Sequence, residues 1–123
     1  MSCLIDSISD GEQAQVFRSK DRIAKKEHRC CECGRQILIG EKYRYESGVW
    51  GYGPDSHKTC LDCISVRDVF FCSWTFGAIW EDMHELVLDY DGGLPAKKIN
   101  AVTTAARELI VDIVDAFIDA EKS

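Results

Sequence analysis

Apolar residues are spaced most regularly in the C-terminal half of the chain. Between residues 99 and 117 they recur every three or four positions, which predicts one long amphipathic helix. A second periodic stretch from Phe76 to Tyr90 predicts the preceding helix. The glycines at 92 and 93 are expected to end that helix, and Pro95 suits the first turn of the next one. A further helical pattern runs from Leu61 to about Phe71.

The middle of the chain carries the pattern of a β-hairpin. Residues 43 to 46 alternate tyrosines with charged side chains, and Gly40 and Gly48 interrupt the run. We expect a small antiparallel hairpin here, followed by a loop over residues 51 to 55 and a connection to residue 59.

The N-terminal segment, residues 1 to 29, is predicted to be an arm followed by a short basic helix. Val16, Phe17 and Ile23 stand among charged residues and indicate the helix, while the first dozen residues are expected to be frayed or to lie over the body of the domain. The stretch 18 to 29 holds six basic and two acidic residues. Such a stretch is typical of a solvated helix, and it can also contact phosphates.

Two cysteine pairs have the spacing of metal ligands. Two residues separate Cys30 from Cys33, and two separate Cys60 from Cys63. A tight turn can present each pair to one ion, and four thiolates complete a tetrahedral structural zinc site. The sequence therefore predicts one structural Zn²⁺ held by these four cysteines.

The other residues near the two pairs have weaker claims to the metal. Cys31 is too close to Cys33 for the usual turn, and Gly34 suits the turn that follows the first pair. His28 and His57 stay open as replacements for one sulfur, although a surface or hydrogen-bonded role is favoured for both. Cys72 is expected to be a small core residue.

The segment between the cysteine pairs resembles a treble-clef zinc finger. The resemblance rests on a CxxCG knuckle, an I-x-x-G-E-x-Y segment and a second CxxC at the start of a helix, over Cys30 to Phe71. The longer stretch from residue 27 to Trp80 is also similar to short zinc-knuckle proteins of phages and prophages, which mostly have no assigned activity. The resemblance implies a structural zinc ion and a bacterial host cytoplasm, but it leaves the function open, because treble clefs serve many functions.

These elements predict an α+β fold in a single domain over residues 1 to 123. It would comprise the N-terminal arm and basic helix (1 to 29), the treble-clef module (30 to 71) and a helical C-terminal part (72 to 123), mostly helical outside the hairpin. The composition, with 46% apolar residues, allows a modest core. The chain shows neither a leader pattern nor a long apolar run, so we expect a cytoplasmic protein that does not bind membranes. In that compartment its seven cysteines favour metal binding over disulfides.

Enzymatic activity is not expected. A nuclease of the HNH type also uses a treble clef, but it needs paired histidines with an acidic neighbour to bind a second metal ion and activate water. Between Cys33 and Cys60 the chain has only His57. We therefore predict no catalytic residues and no small-molecule substrate.

A protein-interaction module is the first functional hypothesis. The net charge of -6 comes entirely from residues 64 to 123, which carry five basic and eleven acidic residues. Several of these acids form a row on one face of each of the last two predicted helices. They could contact a partner, a host or defence protein if the chain is phage encoded: Glu81 and Glu85 on the first, and Asp112, Asp115 and Asp119 on the second.

Nucleic-acid binding is the alternative hypothesis. Lys25, Lys26 and Arg29 would contact phosphates, and tyrosines of the hairpin such as Tyr43 and Tyr45 would stack on bases. The acidic C-terminal half counts against this role, because it repels a polyanion.

Overall fold

The computed structural model describes residues 16 to 122, with side chains from 17 to 121. The chain folds as an α+β protein with a small antiparallel sheet and helices, as predicted. In chain order the elements are β1 (Val16–Ile23), β2 (His28–Arg29), β3 (Gln36–Ile37), β4 (Lys42–Trp50), β5 (Gly53–Cys60), α1 (Leu61–Phe70), α2 (Ile79–Asp89), α3 (Ala96–Ile99) and α4 (Thr104–Lys122). The predicted N-terminal arm, up to residue 15, lies outside the described residues.

The predicted basic helix is wrong, because residues 16 to 23 form the edge strand β1. The strand pairs antiparallel with β4 along its whole length, from Val16 opposite Val49 to Ile23 opposite Lys42. The segment alternates with a period of two, since Arg18, Lys20 and Arg22 occupy every second position. Pairing with β1 satisfies the backbone N–H and C=O groups along one edge of β4. A short exposed helix at residues 16 to 23 would leave those groups of β4 without partners in β1.

The predicted hairpin is present as β4 and β5, and it is longer than expected. The sheet has the order β1-β4-β5. Its turn contains only Gly51 and Tyr52, because Trp50 already pairs with Gly53. The expected loop over 51 to 55 is therefore mostly strand. Gly53 has a φ of 120°, a backbone conformation that favours glycine and that closes the short turn.

The two faces of the three-stranded sheet have different surroundings. The inner face packs against α1, and Glu46 and Thr59 on it are buried. The outer face points away from α1. By strand alternation and register its members are Arg18, Lys20, Arg22, Tyr43, Tyr45, Ser47, Val49, Pro54, Ser56, Lys58 and Cys60.

Helix α1 lies between the sheet and the other long helices. It contacts β4 and β5 on one side and α2 and α4 on the other. The main apolar core joins α1, α2 and α4, and its fully buried members include Phe70, Met83, Leu86 and Ile110. Helix α1 therefore lies between the sheet and most of α2 and α4, although the start of α2 reaches Cys63 through Trp80.

The C-terminal periodicity predicted one helix over residues 99 to 117, but the structure has two. The short helix α3 ends at Ile99, and α4 begins at Thr104. Between them Val102 inserts into the core. The Thr103 hydroxyl donates to Asp62 at 2.7 Å and accepts the Ala106 N–H at 3.3 Å, so it caps α4 and fixes it to α1. Pro95 precedes α3 as its N-cap residue, one position before the expected first turn.

A buried ion pair joins α1 to the sheet. The Arg67 guanidinium donates to both carboxylate oxygens of Glu46, at 2.9 and 3.0 Å, and each side chain is 1% exposed. The Trp74 ring lies over the guanidinium at 4.1 Å. This two-point geometry fixes the angle between α1 and β4.

Two further observations concern expectations from composition. Cys72 is exposed and disulfide-bonded, so its prediction as a small core residue is wrong, and the preference for metal binding over disulfides does not hold at this cysteine. The adjoining core positions are filled by the larger side chains of Phe70 and Phe71. Within residues 16 to 122, none of the helices combines the length and the apolar character that a membrane crossing requires.

Candidate functional site

The structure brings together the four cysteines that the sequence predicted as metal ligands. The sulfur atoms of Cys30, Cys33, Cys60 and Cys63 all lie within 4.8 Å of one another. The Cys33 and Cys60 sulfurs are 3.8 Å apart. Bonds of about 2.3 Å from a tetrahedral zinc ion would place its ligand sulfurs about 3.8 Å apart. The cluster therefore has the size of a four-thiolate metal site.

The first pair is held by a tight knuckle between β2 and β3. His28 pairs with Ile37 and Arg29 with Gln36, and the intervening residues turn back on themselves. The Gly34 N–H donates to the Cys30 carbonyl at 3.0 Å. Gly34 has a φ of 79°, a backbone conformation that favours glycine, so its predicted place in this turn is confirmed.

The second pair is held by the junction of the sheet and α1. Cys60 is the last residue of β5 and the N-cap residue of α1, and Cys63 lies in the first turn of that helix. The N-terminal end of a helix carries a partial positive charge, which favours thiolates over thiols.

Hydrogen bonds from nearby groups stabilise a thiolate at Cys30. The backbone N–H groups of Glu32 and Cys60 each donate to the Cys30 sulfur at 3.4 Å. The thiols of Cys33, Cys60 and Cys63 surround the same sulfur and hold the pKa of Cys30 well below its usual range. The same hydrogen bonds raise the pKa values of Cys60 and Cys63, whose thiols they hold in the protonated form. A metal ligand must be deprotonated, so a cation bound by all four sulfurs would displace the protons of these thiols.

Trp80 is a contributor that the sequence pattern did not single out. Its indole N–H donates to the Cys63 sulfur at 3.3 Å from the start of α2. Hydrogen bonds of this kind orient metal ligands and tune their donor strength. The periodicity of α2 accounted for Trp80 as an apolar residue, and the sequence offered no separate sign of its polar contact.

The remaining candidates near the metal stay outside the cluster. Cys31 lies 3.3 Å from the Thr59 hydroxyl, and burial raises the pKa of its thiol to about 12, so it remains protonated at neutral pH. His28 packs against the Tyr43 ring at 5.3 Å, and His57 stacks on Phe76 at 4.0 Å. The metal-binding group found among the described residues contains only the four cysteines.

The outer face of the sheet concentrates positive charge around an aromatic ring. Lys20, Tyr45 and Lys58 are direct cross-strand neighbours. The Arg22 guanidinium lies over the Tyr45 ring at 3.8 Å, and the Lys58 ammonium is 5.7 Å from the ring centre. None of the strand residues on the outer face is acidic.

The acids of the same strands are on the inner face, where they are paired. Asp21 accepts a hydrogen bond from Arg44 at 2.9 Å, which lowers the pKa of its carboxyl group. Glu46 is the partner of Arg67 in the buried ion pair. Strand alternation thus places the acids of β1 and β4 on the face opposite Tyr45, although residues 1 to 63 carry equal numbers of basic and acidic residues.

Two grooves lie on the outer face. One of about 700 Å³ occupies the end near the knuckle and is lined by Arg22, Ile23, Lys25, Lys26, His28, Tyr43 and Lys58. The other, of about 610 Å³, occupies the hairpin end, and its lining includes Arg18, Tyr45, Ser47, Val49, Pro54 and Ser56. We call these the basic groove and the hairpin groove. The Arg22–Tyr45 pair stands where they adjoin.

Two of the three residues singled out as nucleic-acid contacts line the basic groove, and the third does not. Lys25 and Lys26 line the basic groove. Arg29 does not line it, and its guanidinium instead donates to the Gly34 carbonyl in the knuckle. Arg18 and Lys20 belong to the same face and lie in the basic stretch 18 to 29 that the sequence singles out. The predicted helix would not align them with Arg22 on one face, as the strand does.

The predicted acidic contacts lie in the helical part. Glu81, Glu85, Asp112, Asp115 and Asp119 are all exposed on α2 and α4. Helix α1 separates both helices from the sheet. The molecule therefore carries its acidic helices and its basic outer face in different layers.

No protein-family profile, curated protein or solved structure matches this chain. The resemblance to treble-clef fingers and to the zinc-knuckle proteins of phages therefore stays a prediction. The four-cysteine cluster and the outer face of the sheet are the features that bear on function.

Proposed function

We propose that this chain is a zinc-stabilised domain that binds single-stranded nucleic acid on the outer face of its sheet. The observation that carries the proposal is the composition of that face. Arg18, Lys20, Arg22 and Lys58 surround Tyr45, and no strand residue there is acidic. Cations that follow a phosphate backbone, combined with a ring on which a base can stack, form the usual surface for single strands.

Zinc is the metal that suits the cluster. Four thiolates at tetrahedral spacing are the donor set of structural zinc sites. The order knuckle, hairpin, helix supports a treble-clef assignment for β2 to α1. When bound, the ion would hold the knuckle, the end of β5 and the start of α1 together. Four protein ligands leave no position for an activated water, so the proposed role of the metal is structural.

The outer face supports a specific arrangement of ligand groups. Lys20 and Lys58 flank Tyr45 from the two neighbouring strands, so phosphates on either side of a stacked base could be neutralised. Arg22 already covers one face of the Tyr45 ring. A base can therefore stack on the guanidinium plane, or replace it on the ring.

The acidic helices do not remove this attraction. A helix with its side chains is about 10 Å in diameter, and the Debye length at physiological salt is about 8 Å. Helix α1 lies between the sheet and both acidic helices. The acids on the far side of α1 are therefore farther from the outer face than its own cations, and the nearer charges contribute more to the potential there.

Fluorescence anisotropy with labelled single strands tests the proposal. Oligonucleotides of about ten residues are compared with a duplex, and the salt concentration is varied from about 50 to 200 mM. The double variant Lys20→Glu/Lys58→Glu should abolish binding at the higher salt concentration. The matched variant Lys42→Glu/Lys97→Glu makes the same charge change at exposed positions off the outer face and should retain most of the affinity.

Two outcomes would count against the role. If the wild-type domain with its metal binds no single strand at low salt, the outer face is not a nucleic-acid surface. If both double variants lose affinity equally, the attraction follows total charge and not the outer face. The variant Tyr45→Leu then separates stacking from charge, because it removes the ring and leaves the cations in place.

Contact with a basic protein surface is a second candidate role, supported by the exposed face of α4. Val111 and Ile118 are each 40% or more exposed and lie two helical turns apart on one side of α4, with Asp115 between them. Apolar anchors surrounded by charges are common in protein interfaces. A host or defence protein would be the partner if the chain is phage encoded.

Charge reversal on α4 tests this second role. The triple variant Asp112→Lys/Asp115→Lys/Asp119→Lys should keep its metal and its helicity while losing capture of proteins from nuclease-treated bacterial lysate. Unchanged capture across a salt titration would show that these acids form a solvated surface only.

A further inference from the structure

We infer that the basic groove binds the phosphorylated end of a nucleic-acid strand, while the rest of the outer face holds the nucleotides that follow. This inference rests on the proposed function and identifies the part of a strand that the site prefers. The groove has about 700 Å³ of space, enough for a terminal nucleotide with its phosphate.

The basic groove is closed on the side away from the hairpin. After β1 ends at Ile23, the chain crosses the end of β4 and continues into β2 on the far side, where the Cys31 N–H donates to the Lys58 carbonyl of β5 at 2.9 Å. His28 of β2 packs on the Tyr43 ring, which belongs to the outer face. The crossing segment 24 to 27 and β2 therefore form a wall across this end of the face.

Backbone hydrogen bonds hold that wall in place. The Ala24 N–H donates to the Glu41 carbonyl at 2.9 Å, and the Gly40 N–H donates to the Ala24 carbonyl at 2.8 Å. Ala24 itself is buried with Tyr43 against the metal cluster. A wall fixed in this way would obstruct a continuous strand, whereas a strand that ends in the groove meets no obstacle.

The charge of the groove suits a terminal phosphate better than an internal one. Its lining contains four cations, Arg22, Lys25, Lys26 and Lys58, and no acidic side chain. A phosphate monoester carries a charge of about -1.5 to -2 at neutral pH, whereas an internal diester carries about -1. The half-buried His28 side chain adds a polar group that can bond to one of the additional oxygen atoms.

The hairpin groove suits the nucleotides that follow. Among the side chains that line it, Val49 and Pro54 are apolar, Ser47 and Ser56 are neutral hydroxyls, and Arg18 provides a cation. The one acid in this lining, Asp55, accepts a hydrogen bond from the Tyr52 hydroxyl at 2.8 Å. From Tyr43 to Val49 the strand spans about 20 Å at 3.3 Å per residue, the length of a short oligonucleotide. A strand anchored by its terminal phosphate would thus extend across Tyr45 toward the hairpin turn.

Binding of three short single strands with identical sequence tests the inference. One carries a 5′ phosphate, one a 3′ phosphate and one hydroxyl groups at both ends, and each is titrated into the metal-loaded domain. We expect one phosphorylated form to bind about tenfold more tightly than the hydroxyl form, the effect of one additional charged contact. Inorganic phosphate should compete with that phosphorylated strand.

Matched variants locate the preference within the outer face. Lys25→Ala/Lys26→Ala should remove the preference for the phosphorylated end and leave the hydroxyl strand bound. Arg18→Ala/Lys20→Ala should weaken all three strands by a similar factor and keep the preference. Metal content and circular dichroism show that both variants remain folded.

The outcomes separate the two proposals. Equal affinity for all three strands would overturn end recognition and leave nucleic-acid binding standing. A preference that survives Lys25→Ala/Lys26→Ala would overturn its assignment to the basic groove. Absence of binding to every strand would overturn both proposals.

Discussion

The sheet region and the helical region of this domain are stabilised in different ways. The core of the helical region joins α1, α2 and α4 and consists of apolar side chains such as Met83 and Leu86. The smaller core beneath the outer face has six buried members, and three of them, Cys30, Cys60 and Cys63, are predicted metal ligands. The helical region can therefore be stabilised by apolar burial alone, whereas the sheet region depends on the metal and on polar contacts.

The two regions meet in α1. Cys63 near its start faces the metal cluster, and Phe70 at its end lies in the apolar core. The Arg67–Glu46 pair fastens the middle of the helix to β4. A destabilising substitution in either region should consequently affect the other through α1, to an extent that depends on where the substitution lies.

The largest effect is expected from the loss of a metal ligand. Cys60→Ser should release the metal and disorder the sheet, because ligation contributes about 10 kcal/mol or more to folding at such sites. The far-ultraviolet circular dichroism of the helices should persist in part, since α2 and α4 still pack on one another. Metal analysis and NMR signals from β4 and β5 measure the two effects.

Cys31→Ser is the matched control for that ligand change. Its sulfur lies outside the cluster, beside the Thr59 hydroxyl. The variant should keep one equivalent of zinc and the wild-type sheet signals. Full metal retention in Cys60→Ser, or loss of metal in Cys31→Ser, would show that the ligand set is wrong.

The next effect concerns the link between the regions. Arg67→Met leaves the Glu46 carboxylate buried without its partner, which should lower the free energy of unfolding by about 3 to 5 kcal/mol. The double variant Arg67→Met/Glu46→Leu should recover much of this loss, because no buried charge remains. Chemical denaturation of the metal-loaded proteins measures the difference, and equal stability of the two variants would contradict the expected role of the ion pair.

Truncation of a side chain in the helical core should destabilise the helical region and leave the metal centre intact. Leu86→Ala removes a side chain that is 1% exposed and should cost about 2 to 5 kcal/mol. The four-cysteine cluster does not include any residue of α2, so the native protein should keep its full metal content. Metal loss without unfolding in this variant would mean that the two regions are not separable as described.

A smaller effect is expected at Trp80, where α2 reaches the metal centre. Trp80→Phe keeps an aromatic ring but removes the indole N–H that donates to Cys63. The affinity for zinc should fall by about tenfold, as is usual when a hydrogen bond to a metal ligand is lost. Competition with a chelator measures this change. An unchanged affinity would show that the bond does not act on the metal.

The smallest effect is a pH dependence from His57. Burial between Trp50 and Phe76 lowers the pKa of the His57 imidazole in the folded protein below its ordinary value of 6.5. Between the folded and the unfolded pKa, the unfolded chain therefore binds more protons than the folded one. This contribution to stability is present above pH 6.5 and is lost as the pH falls through the folded pKa. His57→Gln should flatten the profile of unfolding free energy against pH, measured by chemical denaturation between about pH 7 and 5 in excess zinc.

The sequence predicted the α+β class and the two cysteine pairs because both depend on short-range patterns. A CxxC pair and an amphipathic helix are each recognisable within a few turns of chain. The helix expected at residues 16 to 23 is wrong because the strand there is stabilised by β4, whose paired residues lie about 20 to 30 positions away in the chain. The break before Thr104 was missed for a similar reason, since Thr103 is held by contacts with Ser65 and Asp62 on another helix.

Of the candidate site, only the metal centre could be predicted from the sequence. Lys25 and Lys26 were named from local charge, but Lys58 joins them only through the register of β5. The acid-free character of the outer face follows from which residues of β1 and β4 point inward. That property belongs to the assembled sheet, and no single segment of the sequence displays it.

The separation of charge between the layers also gives the molecule a permanent electric dipole. The basic outer face forms one pole, and the exposed acids of α2 and α4 form the other. A dipole turns in the field of a polyanion before contact is made, so encounters would begin with the outer face forward even though the net charge is -6. The direction of approach would then be selected during diffusion, and added salt would slow association by removing this alignment.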